Sequence, residues 1–353
     1  MEREEYYVDA LVNELKAYGK VVNGQHTIAS IFIGGGTPTV LSPFLLEKIC
    51  ACIREVFVLE ESLEWTIEAN PGTITRAHAE VFKAQGVNRV SLGLQACQSS
   101  LLKSLGRIHS LEAWVESLQN LRAVGIENIN TDLMFGLPGQ TLEDWQQTIQ
   151  QVVAYQVPHI SAYGLIIEEG THFYDLYEQG RLQLPPEEVE RDMYTYAKTY
   201  LDTQGYTHYE ISNWAKKGKA CAHNVRYWEQ GEYIGSGLGA HGYLDGKRYH
   251  NTYDLQAYNK AQGDISQMVE EVEMITPKMQ MEEFMFLGLR LVEGVDTKVF
   301  EEKFQKSMDS VYGDILRKWI NCGGLVKNNN RIYLSEQGRD ISNQIMSDFL
   351  IEA

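Results

Sequence analysis

Three groups of residues have the types and spacing to hold a ligand. Gly34-Gly35-Gly36-Thr37-Pro38-Thr39 directly follows the apolar run Ala29 to Ile33. Consecutive glycines let a backbone approach a ligand closely, with amides and carbonyls exposed as hydrogen-bond partners. The run has neither the Gly-x-Gly-x-x-Gly spacing of a dinucleotide fold nor the lysine of a phosphate loop. Glu68, Gln95 and Asp132 lie in or near the ends of the next three strand-like runs. A carboxylate there can accept hydrogen bonds from vicinal hydroxyls or an amino group. Singly, each reads as a cap for the following helix; converging on one face, they read as a ligand site. The third group is Cys221-Ala222-His223-Asn224-Val225-Arg226-Tyr227-Trp228, an imidazole beside two flat aromatic rings. Alone, His223 reads as a satisfied histidine in an aromatic loop.

The elements that position these groups alternate. Strand patterns at Ala29 to Ile33, Leu63 to Glu68, Val87 to Leu94, Ile126 to Met134 and Pro158 to Ile167 are separated by helical stretches. These stretches begin at Ser42-Pro43 and run over Thr75 to Gln85, Leu111 to Val124 and Thr141 to Gln156, with another over Glu187 to Thr203. Strands recur about thirty residues apart, the length of a βα unit with its crossover helix. The pattern predicts an α/β fold with a parallel sheet, open or curled, and ligand chemistry at the C-terminal strand ends. The segment from Tyr206 to Asp264 is rich in Gly, Tyr and His and predicts a hairpin at Asp245-Gly246. A boundary falls between Gly263 and Thr276, dividing residues 1–265 from 266–353. The second part, with helices, a tight turn at Asn328-Asn329-Asn330 and a final helix from Glu336, has the pattern of a small winged-helix-like domain.

Composition narrows the function classes. The formal net charge is −17 over 353 residues, a field that repels polyanions, so nucleic acid is not expected as a partner. No apolar run approaches the roughly eighteen residues of a membrane helix, and Met1-Glu2-Arg3-Glu4-Glu5 is acidic where a leader would be basic. The expected location is the cytoplasm. The five cysteines, Cys50, Cys52, Cys97, Cys221 and Cys322, are dispersed and form no disulfide framework. Cys50 and Cys52 stand two apart in a helix and point to different faces, a poor arrangement for sharing a metal.

Five motifs in order carry a specific resemblance: Gly34 to Thr39, Glu68-Ala69-Asn70-Pro71-Gly72, Ser91-Leu92-Gly93-Leu94-Gln95, Leu105-Gly106-Arg107-Ile108-His109 and Asp132 to Thr141. Over essentially its whole length the chain resembles the coproporphyrinogen III oxidase/dehydrogenase group of the radical S-adenosylmethionine (SAM) superfamily, nearest to its haem-chaperone branch. The resemblance implies a partial (β/α)6 barrel, here lacking its first strand, followed by the winged-helix-like domain. It also implies contacts from Gly35, Gly36 and Thr37 to the methionine part of SAM, with Glu68, Gln95, Arg107 and Asp132 completing the pocket. His-Asn-x-x-Tyr-Trp is associated with haem binding in that branch, implying His223 as an iron ligand beside Tyr227 and Trp228, with Cys221 a weaker second ligand. The implied partners are haem or a porphyrin and a haem-acceptor protein.

One family feature is missing. Members hold a [4Fe-4S] cluster on a Cys-x-x-x-Cys-x-x-Cys loop, and this sequence contains no such spacing. Cluster assembly and radical generation are not expected from the chain as written, and no catalytic residue is assigned. Without the preceding strand, Ala29 to Ile33 becomes an apolar sheet edge, so a misplaced start with the loop encoded upstream is the favoured explanation. The alternative function is oxidative decarboxylation of coproporphyrinogen III; a third is a winged-helix regulator with a vestigial barrel, which the acidic charge disfavours.

Overall fold

The computed structural model describes residues 2–22 and 26–350. Its main sheet has seven strands: β1 (Ile28–Ile33), β2 (Leu59–Ala69), β3 (Arg89–Gln95), β4 (Asn128–Phe135), β5 (His159–Gly164), β6 (Thr207–Glu210) and β7 (Asn213–Ala215). They lie in the order β1-β2-β3-β4-β5-β7-β6, curled as a half-barrel. Strands β2 to β5 run parallel, and β7 and β6 close the sheet as an antiparallel hairpin. The barrel expectation holds. The closing hairpin was not expected, because its strands are short and polar and Ile211-Ser212 carries none of the Gly or Asn signals of a tight turn.

The helices start and stop where local chemistry dictates. Thr75 and His78 form a reciprocal capping box before Arg76–Gln85, and Gly86 ends that helix at φ 88°. Thr141 and Asp144 do the same before Leu142–Ala154. The apolar face of each strand packs beneath such helices: Val90, Leu92, Leu94, Ile129, Leu133 and Ile160 are fully buried.

The chain packs as two compact units. One comprises Ile31–Pro43 and Glu64–Ala220; the other comprises the described residues up to Ser30, Phe44–Leu63 and the chain from Cys221 on. Within the second unit, β8 (His241–Leu244) and β9 (Lys247–Asn251) form the expected hairpin, with Asp245 and Gly246 at φ 51° and 70° as a type I′ turn requires. The strand β10 (Val269–Met274) pairs with β9. Further on, β11 (Val295–Asp296), β12 (Leu325–Asn328) and β13 (Arg331–Leu334) form a second small sheet in the order β11-β13-β12, flanked by Pro277–Gly288, Thr297–Phe304 and Met308–Asn321. That arrangement is the winged-helix-like module, with the predicted turn at Asn328-Asn329-Asn330.

Glu14, on the helix Glu2–Val22, is wholly buried in the second unit. Its carboxylate accepts from Tyr258 Oη at 2.5 Å, Asn251 Nδ2 at 2.6 Å and the Gly237 amide at 2.9 Å. Burial pushes its pKa up, against the pull of these donors. Glu14→Ala leaves all three donors buried without an acceptor and is expected to cost about 3 kcal/mol in denaturant unfolding. Arg76→Ala, which breaks an exposed 2.9 Å pair with Glu80, is expected to change stability by less than about 0.5 kcal/mol.

Candidate functional site

Parallel register places the polar side chains of four strands in rows. Glu68, Ser91, Asn130 and His159 are lateral neighbours across β2 to β5, and Gly93, Asp132 and Ser161 form the next row toward the strand ends. All lie on the face opposite the helix-covered apolar residues, because side chains alternate along a strand. Parallel strands buried on both faces normally read as continuous hydrophobic runs. Here one buried face is polar.

The hydrogen bonds on this face run in one direction. Asn130 Oδ1 is only an acceptor, so the His159 Nδ1 2.6 Å away carries the proton. His159 Nε2 therefore accepts from Tyr209 Oη at 2.9 Å. Burial, reinforced by the nearby Arg89 charge, holds His159 well below the usual histidine range and keeps it neutral. Asn130 Nδ2 donates to Asp132 Oδ1 at 2.8 Å and to Ser91 Oγ at 2.7 Å, and Ser91 Oγ donates to Asp132 Oδ2 at 2.9 Å. Ser161 Oγ donates to Asn130 Oδ1 at 3.1 Å. The chain of donors ends on Asp132. Enclosure by protein pushes the Asp132 carboxyl up, while Ser91, Asn130, Ser161 and the Arg89 charge pull it back.

The glycine loop lies beside Glu68. Gly35 and Gly36 adopt φ of 85° and 96°, with open space where a Cβ would stand. A Cβ on Gly34 would fall 2.8 Å from Glu68 Oε2, so a side chain there would push the carboxylate aside. Glu68 Oε2 accepts from the Gly35 amide at 3.2 Å. Its pKa is raised, first by burial and then by the Asp132 charge, with the Gly35 bond opposing. Asn70 ties the loop to the next motif: its Nδ2 donates to Thr37 Oγ1 at 2.6 Å, and its Oδ1 faces Arg107 Nη1 at 3.5 Å. Gln95 ends β3 at φ 69° and is almost wholly buried. Gly35, Gly36, Thr37, Glu68, Gln95, Arg107 and Asp132 thus all belong to one compact unit. The glycines and the Asn70 link leave an open polar surface beside Glu68.

Asn130, Ser91, His159 and Arg89 escaped the sequence reading, which looked only at strand ends. For Arg89 and Ser91 the signal is the alternation Arg89-Val90-Ser91-Leu92-Gly93-Leu94-Gln95, in which Arg89, Ser91 and Gln95 share the face opposite Val90, Leu92 and Leu94.

The third group lies in the other unit, on the helix Ala222–Trp228. His223 and Tyr227, four apart, share a face: their rings meet edge-on at 4.9 Å, and His223 Nε2 is 3.2 Å from Tyr227 Oη. Ser30 Oγ lies 2.9 Å from His223 Nδ1. Trp228 is turned roughly 140° from His223 by helical geometry. Its ring lies under the Arg290 guanidinium at 4.3 Å, and its buried indole N–H has no hydrogen-bond partner. The helix therefore brings His223 and Tyr227 together and sends Trp228 elsewhere. Cys221, at the start of the helix, is fully buried. The half-buried His223 imidazole beside aromatic rings is a donor set that suits haem iron.

The cysteines do not suit an iron–sulfur cluster. Among the described residues, no three His, Cys, Asp or Glu side chains are placed to hold a metal ion. Burial pushes the Cys50 and Cys97 thiols up to about 12, away from the thiolate form that ligates iron. No step through a cluster follows from these residues. Among the described residues, no helix is long and apolar enough to cross a membrane.

The half-barrel and its glycine loop define a class, the radical SAM superfamily, whose family model matches residues 2–152; a HemN C-terminal domain model matches residues 275–341. The chain is 38% identical to the haem chaperone HemW of Lactococcus lactis, over 98% of this chain and 89% of that protein. It is 38% identical to that of Bacillus subtilis (98% and 91%) and 32% identical to that of Escherichia coli (98% and 90%). The chain belongs to the HemW family. In fold it also matches coproporphyrinogen III oxidase (HemN) of Escherichia coli, at a TM-score of 0.84 and 20% identity, over 98% of this chain and 83% of that one.

A carboxyl whose folded pKa is raised favours the folded state while protonated and costs stability once ionised. Glu68→Gln retains an acceptor for Gly35 and removes that buried charge. It is expected to be more stable than the wild type at pH 7. The difference should shrink as pH falls below the raised Glu68 pKa and vanish below the ordinary carboxylate value, read as denaturation midpoints across pH.

Proposed function

We propose that this chain is a haem chaperone that binds haem through His223 and SAM in the strand-end cradle, and passes haem to an acceptor protein in the cytoplasm. Family membership supports the reading. The observation that carries it is the pairing of His223 with Tyr227 on one helix face, an imidazole poised at an aromatic surface.

In the cradle, Gly35, Gly36 and Thr37 offer backbone and hydroxyl groups to the amino-acid end of SAM. Glu68 accepts from its ammonium group, and Arg107 meets its carboxylate with the planar fork suited to that shape. Asp132, held by Ser91 and Asn130, accepts from the ribose hydroxyls, and Gln95 closes the pocket. SAM would supply a sulfonium-bearing nucleoside at this rim; the chain's own residues bind and orient it. The likeness to coproporphyrinogen III oxidase is one of fold and carries no decarboxylation step.

Titration of the purified chain with haemin is expected to give a shifted Soret band, with His223→Ala weakening affinity at least about tenfold, the scale of one lost ligand interaction. An unchanged titration in the variant removes His223 from the site.

A further inference from the structure

We propose that Ser30 and Tyr227 govern how His223 takes iron: Ser30 orients the ring from its Nδ1 side, and Tyr227 covers Nε2 until haem displaces it. This rests on the reading of His223 as the haem ligand. Both ring nitrogens already face hydroxyls, Ser30 Oγ at 2.9 Å from Nδ1 and Tyr227 Oη at 3.2 Å from Nε2.

A neutral imidazole carries one N–H, and a nitrogen that ligates iron must present a lone pair while the other holds the proton and donates it. Ser30 Oγ stands where that acceptor is needed. With Nδ1–H donating to Ser30, the lone pair is on Nε2, and the Tyr227 hydroxyl donates to it. A phenol, which ordinarily ionises at about pH 10, keeps the proton it donates at neutral pH. That tautomer satisfies both hydroxyls and leaves Nε2 as the nitrogen that meets iron.

The two hydroxyls differ in how firmly they hold the ring. Ser30 is fixed in β1, and its bond is of ordinary length. The Tyr227 contact is long for a hydroxyl donor. Tyr227 stands on the helix Ala222–Trp228, with its phenol edge-on against Tyr233 at 4.6 Å. Iron reaching Nε2 must take the place of Tyr227 Oη. Ser30 keeps its bond throughout.

Haemin titration, stopped-flow mixing and resonance Raman of the reduced complex, all on the full chain, test this. Ser30→Ala should lower affinity about tenfold, the low end for an outer-sphere partner of a metal-bound histidine, and move the iron–imidazole stretch to lower frequency. Ser30→Thr should restore both. Tyr227→Phe should speed haem association several-fold and leave the bound spectrum unchanged. Wild-type affinity and frequency in Ser30→Ala would remove Ser30 from the proposal. An unchanged association rate in Tyr227→Phe would overturn the cover, and so would loss of the Soret shift, which would make the phenol itself the ligand. Should the wild type take up no haemin, or His223→Ala match it, the haem reading fails instead.

Discussion

A carboxylate enclosed by protein has to be met by donors or give up its charge, and Asp132 is met by an ordered series of them. Tyr209, His159 and Asn130 each pass a hydrogen bond in one direction, and Ser91 adds another at the end. Reversing any member would set two donors or two acceptors against each other. The orientation of the Asn130 amide therefore fixes the His159 tautomer, and the neutrality of His159 keeps a second positive charge off a face that already buries Arg89. The same constraint dictates the sheet: only parallel pairing in this register brings Ser91, Asn130 and His159 abreast.

The strand ends add a second requirement, close backbone approach. Gly34 leaves room for Glu68, and the open space beside Gly35 and Gly36 leaves room for a ligand. Two acidic side chains, Glu68 and Asp132, then share one neighbourhood: burial makes each ionise less readily, and the Asp132 charge raises Glu68 further. A site that holds two carboxyls at this expense suits a ligand rich in hydrogen-bond donors. The helix Ala222–Trp228 solves a different problem, presenting an imidazole beside a phenol rather than a carboxylate.

Much of this was legible in the sequence. The βα spacing pointed to a parallel sheet, open or curled, and the family resemblance to the half-barrel; the helix starts at Thr75 and Thr141 fell where expected. The residues at the strand ends were visible because polar residues stand out after an apolar run. Those deeper in the sheet were not, since Ser91 and Asn130 are unremarkable until register sets them beside Asp132. The hairpin of β6 and β7 was hidden by its polar strands; Glu210, in the first, is wholly buried, which composition alone would not suggest. Trp228 shows a further limit. Adjacent residues in a motif look like one group, but a helix turns them to different neighbours, and only the structure reveals Arg290 over the indole.

Calorimetric titration of the folded chain with S-adenosylmethionine tests the central claim, that the converging donors make Asp132 a binding carboxylate. The account predicts single-site heat from the wild type that Asp132→Ala abolishes. Equal heat from that variant, or none from the wild type, would contradict it.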